Sequence, residues 1–145
     1  MAGADLPVLI LGGILVSKRD VCYMGKTQSQ IDGWPQDVRE MVNTNLQALQ
    51  GSKSSCFSDL ADWVNAGKLT DKPLKGSKLA GSYQLTIKHR DSYRVVYVAE
   101  LGDDIIVLHS FKKKTEKKSK PDMDLVEKRL KEVKAYLDEE ARQSK

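Results

Sequence analysis

Residues 83–113 constrain the fold more than any other part of the chain. The stretch YQLTIKHRDSYRVVYVAELGDDIIVLHSFKK holds three strand-like runs, about Tyr83–His89, Tyr93–Glu100 and Ile105–Lys112, rich in β-branched and aromatic side chains. The connections between them are far too short for a helical crossover, so neighbouring runs can pair only as an antiparallel meander. In the first run Tyr83, Leu85 and Ile87 take one face, and Gln84, Thr86 and Lys88 the other.

Register then decides where the one cation inside the second run points. A two-residue turn at Arg90-Asp91 would set Arg94 opposite Ile87, on the apolar side. A three-residue loop, Arg90 to Ser92, pairs Ile87 with Val95, Leu85 with Tyr97 and Lys88 with Arg94. The second register keeps apolar side chains together and is preferred. A three-residue loop Leu101–Asp103 would add Ser110 and Lys112 to the face of Arg94. The expected product is a basic patch of Lys88, Arg94, Lys112 and the residues just after it, on the sheet face away from the main core.

The flanking segments read as helices. In TQSQIDGWPQDVREMVNTNLQALQG, residues Trp34, Val38, Met41, Val42, Leu46 and Leu49 recur at three and four positions, Pro35 suits a first helical turn and Gly51 a stop. Cys56–Gly67 reads as a shorter helix with a stripe of Phe57, Leu60, Ala61 and Val64, and Lys68–Ser82 as a loop. Pro121 breaks the chain before a terminal helix whose narrow stripe is Val126, Leu130, Val133 and Leu137. Asp20–Gly25 is a short first strand. Leu6–Val16 reads as a strand pair around Gly12-Gly13 or an apolar flap; it is too short to span a bilayer, and Lys18 and Arg19 follow it where a secretory leader would have cations in front. The organisation expected is an apolar extension over 1–19 and one α+β domain over 20–140.

Hydrophobic residues are 40% and charged residues 30%, as in a folded soluble domain. The net charge of +4 favours a polyanionic partner. Residues 1–50 hold four Lys+Arg against five Asp+Glu, whereas residues 51–100 hold eight against five, so the basic excess lies in the sheet and in the lysine run Lys112, Lys113, Lys114, Lys117, Lys118. Cys22 and Cys56 show no CxxC spacing, and with two histidines, His89 and His109, the chain lacks a zinc pattern. Two buried thiols in a reducing cytosol is the plainer reading of the cysteines, a disulfide the other. Plainer readings exist for the cations too: a lysine run after a strand is commonly a solvated loop, and a strand arginine commonly pairs with an acid. His109, Tyr93, Tyr97 and Phe111 read as core.

The segments WPQDVREMVNTNLQALQG, KPLKG and GSYQLTIKHRDSYRVVYVAELGDDIIVLHSFKKKTEKKSKPDMDLVEKRLKEV, in the order strand, two helices, meander, helix, resemble the RelE/ParE superfamily of bacterial toxin–antitoxin toxins, and within it the phage-derived, HigB-like branch. The resemblance runs over roughly residues 20 to 135. It implies a cytoplasmic, metal-independent and cofactor-free endoribonuclease that cuts mRNA, commonly on the ribosome, leaves a 2′,3′-cyclic phosphate, and is silenced by a cognate antitoxin, expected to be a helix-turn-helix protein. No membrane role is implied. By the same resemblance the carried-over positions are Arg94 and the cations closing the last strand, Lys112 to Lys114, with Lys88 beside them; of these Arg94, Lys88, Lys112 and Lys113 are the catalytic candidates, while Lys114 and the remaining lysines Lys75, Lys117 and Lys118 would, by their charge, hold RNA backbone. Relatives that carry a Tyr or His after the last strand have no counterpart here, which leaves the proton-transfer groups among the lysines, where crowding by other cations favours loss of a proton. Two other readings compete: a ParE-like toxin that poisons DNA gyrase by protein contact, and a non-catalytic module binding nucleic acid or a partner.

Overall fold

A computed structural model describes residues 8–11, 14–17, 19–51, 57–101, 104–113 and 120–143. Its centre is a five-stranded sheet of β3 (Val21–Tyr23), β4 (Leu69–Pro73), β5 (Ser82–His89), β6 (Asp91–Val98) and β7 (Ile105–Lys113), in the order β3-β7-β6-β5-β4. The expected meander is β5-β6-β7, antiparallel throughout, and the short first strand lies parallel to β7. Ahead of the sheet, β1 (Val8–Leu11) and β2 (Ile14–Ser17) form a separate antiparallel pair with Leu11 opposite Ile14, the arrangement expected around Gly12-Gly13.

Helices cover both faces. On one, α1 (Thr27–Asp32) and α2 (Gln36–Leu49) bring Ile31, Val38, Met41, Val42 and Leu46 onto Leu85, Ile87, Tyr93, Val95 and Tyr97. The segment expected as one helix is two, because Gly33-Trp34-Pro35 interrupts it and Pro35 stands at the N-cap of α2. Trp34 leaves the helical stripe to pack on Tyr93, ring centroids 5.0 Å apart. The other face is the smaller core, Val96, Val98 and Leu108 under Val126, Leu130 and Val133 of α4 (Lys120–Gln143). Pro121 falls in the first turn of α4, where its missing N–H costs nothing. Leu85 is fully buried in the larger core. Leu85→Ala is expected to cost about 3 kcal/mol, read as a lower urea midpoint at unchanged slope.

Two elements depart from expectation. β4 lies within the segment read as a loop; its sequence LTDKP is polar with a terminal proline, which suits an edge strand. Its Asp71 accepts hydrogen bonds from Asn45 Nδ2 at 3.2 Å and from the Tyr97 hydroxyl, and burial together with that carboxylate pushes the Tyr97 phenol well above its usual range. Among the described side chains of α3 (Phe57–Asn65), Leu60 and Trp63 pack on the core, whereas Ala61 and Val64 of the expected stripe are exposed, Val64 at 49%. Cys22 is exposed on β3 rather than buried, and Cys56 lies outside the described residues.

Candidate functional site

The β5–β6 reversal is tighter than expected. His89 pairs with Asp91, and Arg90 between them takes φ 67°, a left-handed value that few non-glycine residues adopt. Ile87 therefore pairs with Tyr93, Leu85 with Val95, Thr86 with Arg94 and Lys88 with Ser92. The shift from the expected register is two residues. Because side chains alternate with period two, every residue keeps its face, but Lys88 stands opposite Ser92 instead of opposite Arg94.

The β6–β7 pairing changes the site more. Near the start of β7, Val98 pairs with Ile106 and Tyr97 with Val107, the expected register. A bulge between Val96 and Tyr97 then inserts one extra residue into β7, so that Val96 pairs with His109, Arg94 with Phe111, Tyr93 with Lys112 and Ser92 with Lys113. One extra residue reverses the face of everything after it. Ser110 and Lys112 leave the face of Arg94, and His109, Phe111 and Lys113 arrive on it. Ser110 instead donates its hydroxyl to the carbonyl of Thr27, at 3.1 Å, on the opposite side of the sheet. Lys112 lies on that side as well, its Nζ 3.7 Å from Asp91 Oδ2. The placement of Lys112 beside Arg94 is thus corrected: the thickness of the sheet separates them, and Lys113 takes the position.

Three cross-strand rows result on the face of Arg94: Lys88–Ser92–Lys113, Thr86–Arg94–Phe111 and Gln84–Val96–His109. Directly opposed side chains in such rows have Cβ atoms about 5 Å apart, so Lys88 and Lys113 flank Ser92, diagonally next to Arg94. The Arg94 Nε donates to Ser92 Oγ at 3.4 Å, which holds the guanidinium along the strand. Lys113 is 8% exposed and Arg94 half-buried, whereas Lys88 is exposed.

Beside the rows lies a cavity of about 260 Å³, lined by Leu74, Lys75, Leu79, Gln84, Arg94, Phe111 and Met123. Lys75, expected on RNA from a distant loop, is brought by the fold to the same cavity as Arg94. Phe111 stacks on His109 with centroids 5.0 Å apart, and His109 Nε2 lies 2.7 Å from Asp122 Oδ1, tying β7 to the first turn of α4 and setting Met123 over the cavity. His109 does fill space in the core; its acidic partner was not legible, because Asp122 sits thirteen residues on in another element. Gln84 and Ser92 were missed for a different reason: short polar side chains in a strand give no chemical signal until their neighbours are known. Lys114, Lys117 and Lys118 lie outside the described residues.

An α+β chain with this open, mainly antiparallel sheet is compatible with a RelE-like toxin fold. The profile of the family described as Phage derived protein Gp49-like (DUF891) matches residues 29–131, and the chain belongs to that family, which is associated with RelE-like toxins. No curated protein and no solved structure matches the chain.

Proposed function

We propose that the chain is the toxin of a bacterial toxin–antitoxin module and acts as an endoribonuclease on mRNA. The observation that carries this reading is the gathering of Arg94, Lys88 and Lys113 on one sheet face around Ser92, next to a cavity that also takes Lys75. Family membership supports the toxin and the existence of an antitoxin partner. The finer assignments belong to the proposal: a HigB-like branch, a helix-turn-helix antitoxin, action at the ribosome and a cytoplasmic setting. Among the described residues no helix is long and apolar enough to cross a membrane.

The chemistry follows from charge. Attack of a ribose 2′-hydroxyl on the adjacent phosphate builds negative charge on the equatorial oxygens, and fixed cations there stabilise the transition state more than the ground state. Arg94 offers a planar fork that stays protonated and can grip two oxygens. Lys113 and Lys88, on either side of Ser92, supply the proton acceptor for the 2′-hydroxyl and the donor for the departing 5′-oxygen. The bond formed is O2′–P, the bond broken is P–O5′, and the product ends in a 2′,3′-cyclic phosphate without a metal ion in the scheme.

Primer extension on total RNA after induction tests the reading. New 5′ ends within messages are expected. Intact messages accompanied by DNA damage would instead point to a gyrase poison. RNA binding should also depend on salt: with about four phosphate contacts to a single strand, log affinity plotted against log salt falls with a slope near −3. A flat response, measured by fluorescence anisotropy, removes the phosphate-holding role of Lys75, Lys114, Lys117 and Lys118.

A further inference from the structure

We infer that the cavity beside Arg94 is a nucleobase pocket, and that Gln84 sets which base it accepts. The inference rests on the ribonuclease reading for its biological meaning but has its own geometric support. Leu79 arrives from the β4–β5 connection, Phe111 from β7 and Met123 from α4, so three elements supply apolar walls. Arg94 lines the same cavity, so a phosphate held by the guanidinium carries its nucleoside to the cavity mouth. The volume, about 260 Å³, lies just below the range of about 300–1,000 Å³ usual for whole small-molecule ligands. That size suits a planar ring system entering from outside while its sugar and phosphate stay on the basic face.

A base sequestered among apolar side chains must find partners for its polar edge, or the mismatch penalises it. Among the described residues of the lining, Gln84 is the one uncharged hydrogen-bonding side chain. Its amide carries two N–H donors and one acceptor oxygen. One N–H goes to Thr86 Oγ1 at 3.3 Å, which orients the amide along β5. The other N–H and Oε1 form an adjacent donor–acceptor pair, the pattern with which a glutamine reads a base edge. Phe111 is itself held by its stack on His109, so the aromatic wall is fixed before a base arrives, and stacking on such a wall is tolerant of base identity. Discrimination therefore falls to Gln84.

Two measurements on the full chain test this. The first titrates the purified protein with the four ribonucleoside 3′-monophosphates while following the Gln84 side-chain amide by NMR. One nucleotide should bind best and shift that amide, and Gln84→Ala should reduce its advantage over the others about tenfold. The second maps cleavage sites on RNA of randomised sequence. The wild type should favour one base at a fixed position next to the cut, and Gln84→Ala should flatten that preference while cutting persists. Gln84→Glu keeps the shape but cannot donate, so it should turn against uracil, whose N3–H is flanked by two acceptor oxygens. A preference left intact in Gln84→Ala, or nucleotides that bind without moving the Gln84 amide, overturns the inference and leaves the ribonuclease reading standing. Selective nucleotide binding at Gln84 by a chain that cuts no RNA has the opposite meaning: the pocket stands and the ribonuclease reading falls.

Discussion

Arg94→Ala is expected to lower RNA cleavage by about 10²–10³-fold, the range seen when one preorganised donor to a developing oxyanion is removed, and to abolish toxicity on induction. The side chain is half-buried on the face under α4, bonded through Nε to Ser92 Oγ at 3.4 Å, and belongs to neither apolar cluster. Val95 and Val96, its fully buried neighbours in the strand, are retained in the variant. The variant should therefore keep its circular dichroism spectrum and its unfolding free energy to within about 1 kcal/mol, and should still bind the antitoxin. Arg94→Lys restores charge without the fork, and recovery should be partial. Full growth arrest by Arg94→Ala would remove the guanidinium from the mechanism.

The second large effect separates two adjacent lysines. Lys113→Gln should reduce cleavage about a hundredfold, as expected for loss of a positioned proton-transfer group, while Lys112→Gln should change it no more than about threefold. The difference follows from the bulge. Lys113 stands opposite Ser92, in the row that also holds Lys88, and Lys112 points to the other side of the sheet toward Asp91. The Lys112–Asp91 pair is solvent-exposed enough, at 44% and 30%, for its loss to cost well under about 1 kcal/mol. Single-turnover rates at saturating RNA give the comparison directly, and denaturant midpoints for both variants show whether either effect comes through folding. Equal loss in both variants, or a greater loss in Lys112→Gln, would contradict the assignment of faces.

That pair also lies where sequence pattern ceases to determine which face a side chain takes. The meander, the helical stripes of α2 and α4 and the basic excess were legible because alternation and three-four spacing reflect burial on one side. The face of Arg94 was legible too, since a register error of two residues leaves faces unchanged. The face of Lys112 was not. Leu108 and His109 each fit an ordinary strand position, and nothing in VLHSF announces that both turn toward α4. Bulges answer to the packing of partner strands, which only the assembled sheet supplies. β4 escaped for a related reason: Asp71 and Lys72 have no apolar alternation, and the strand exists because β5 offers it an edge. The cavity was invisible because Leu79, Gln84, Phe111 and Met123 come from four separate segments.

Cleavage at this face also fixes the chemistry of the RNA ends. A cation-lined face that directs the 2′-hydroxyl onto its own phosphate gives fragments ending in 2′,3′-cyclic phosphate and beginning with a 5′-hydroxyl. Hydrolysis by an activated water would leave linear phosphate ends. The decisive measurement is end-group analysis by mass spectrometry of mRNA fragments produced by the purified chain with translating ribosomes, alongside Arg94→Ala. Cyclic phosphate ends from the wild type and none from Arg94→Ala are the expected result. Uncut message, linear phosphate ends, or equal cutting by both proteins would contradict the claim that this sheet face is a ribonuclease site.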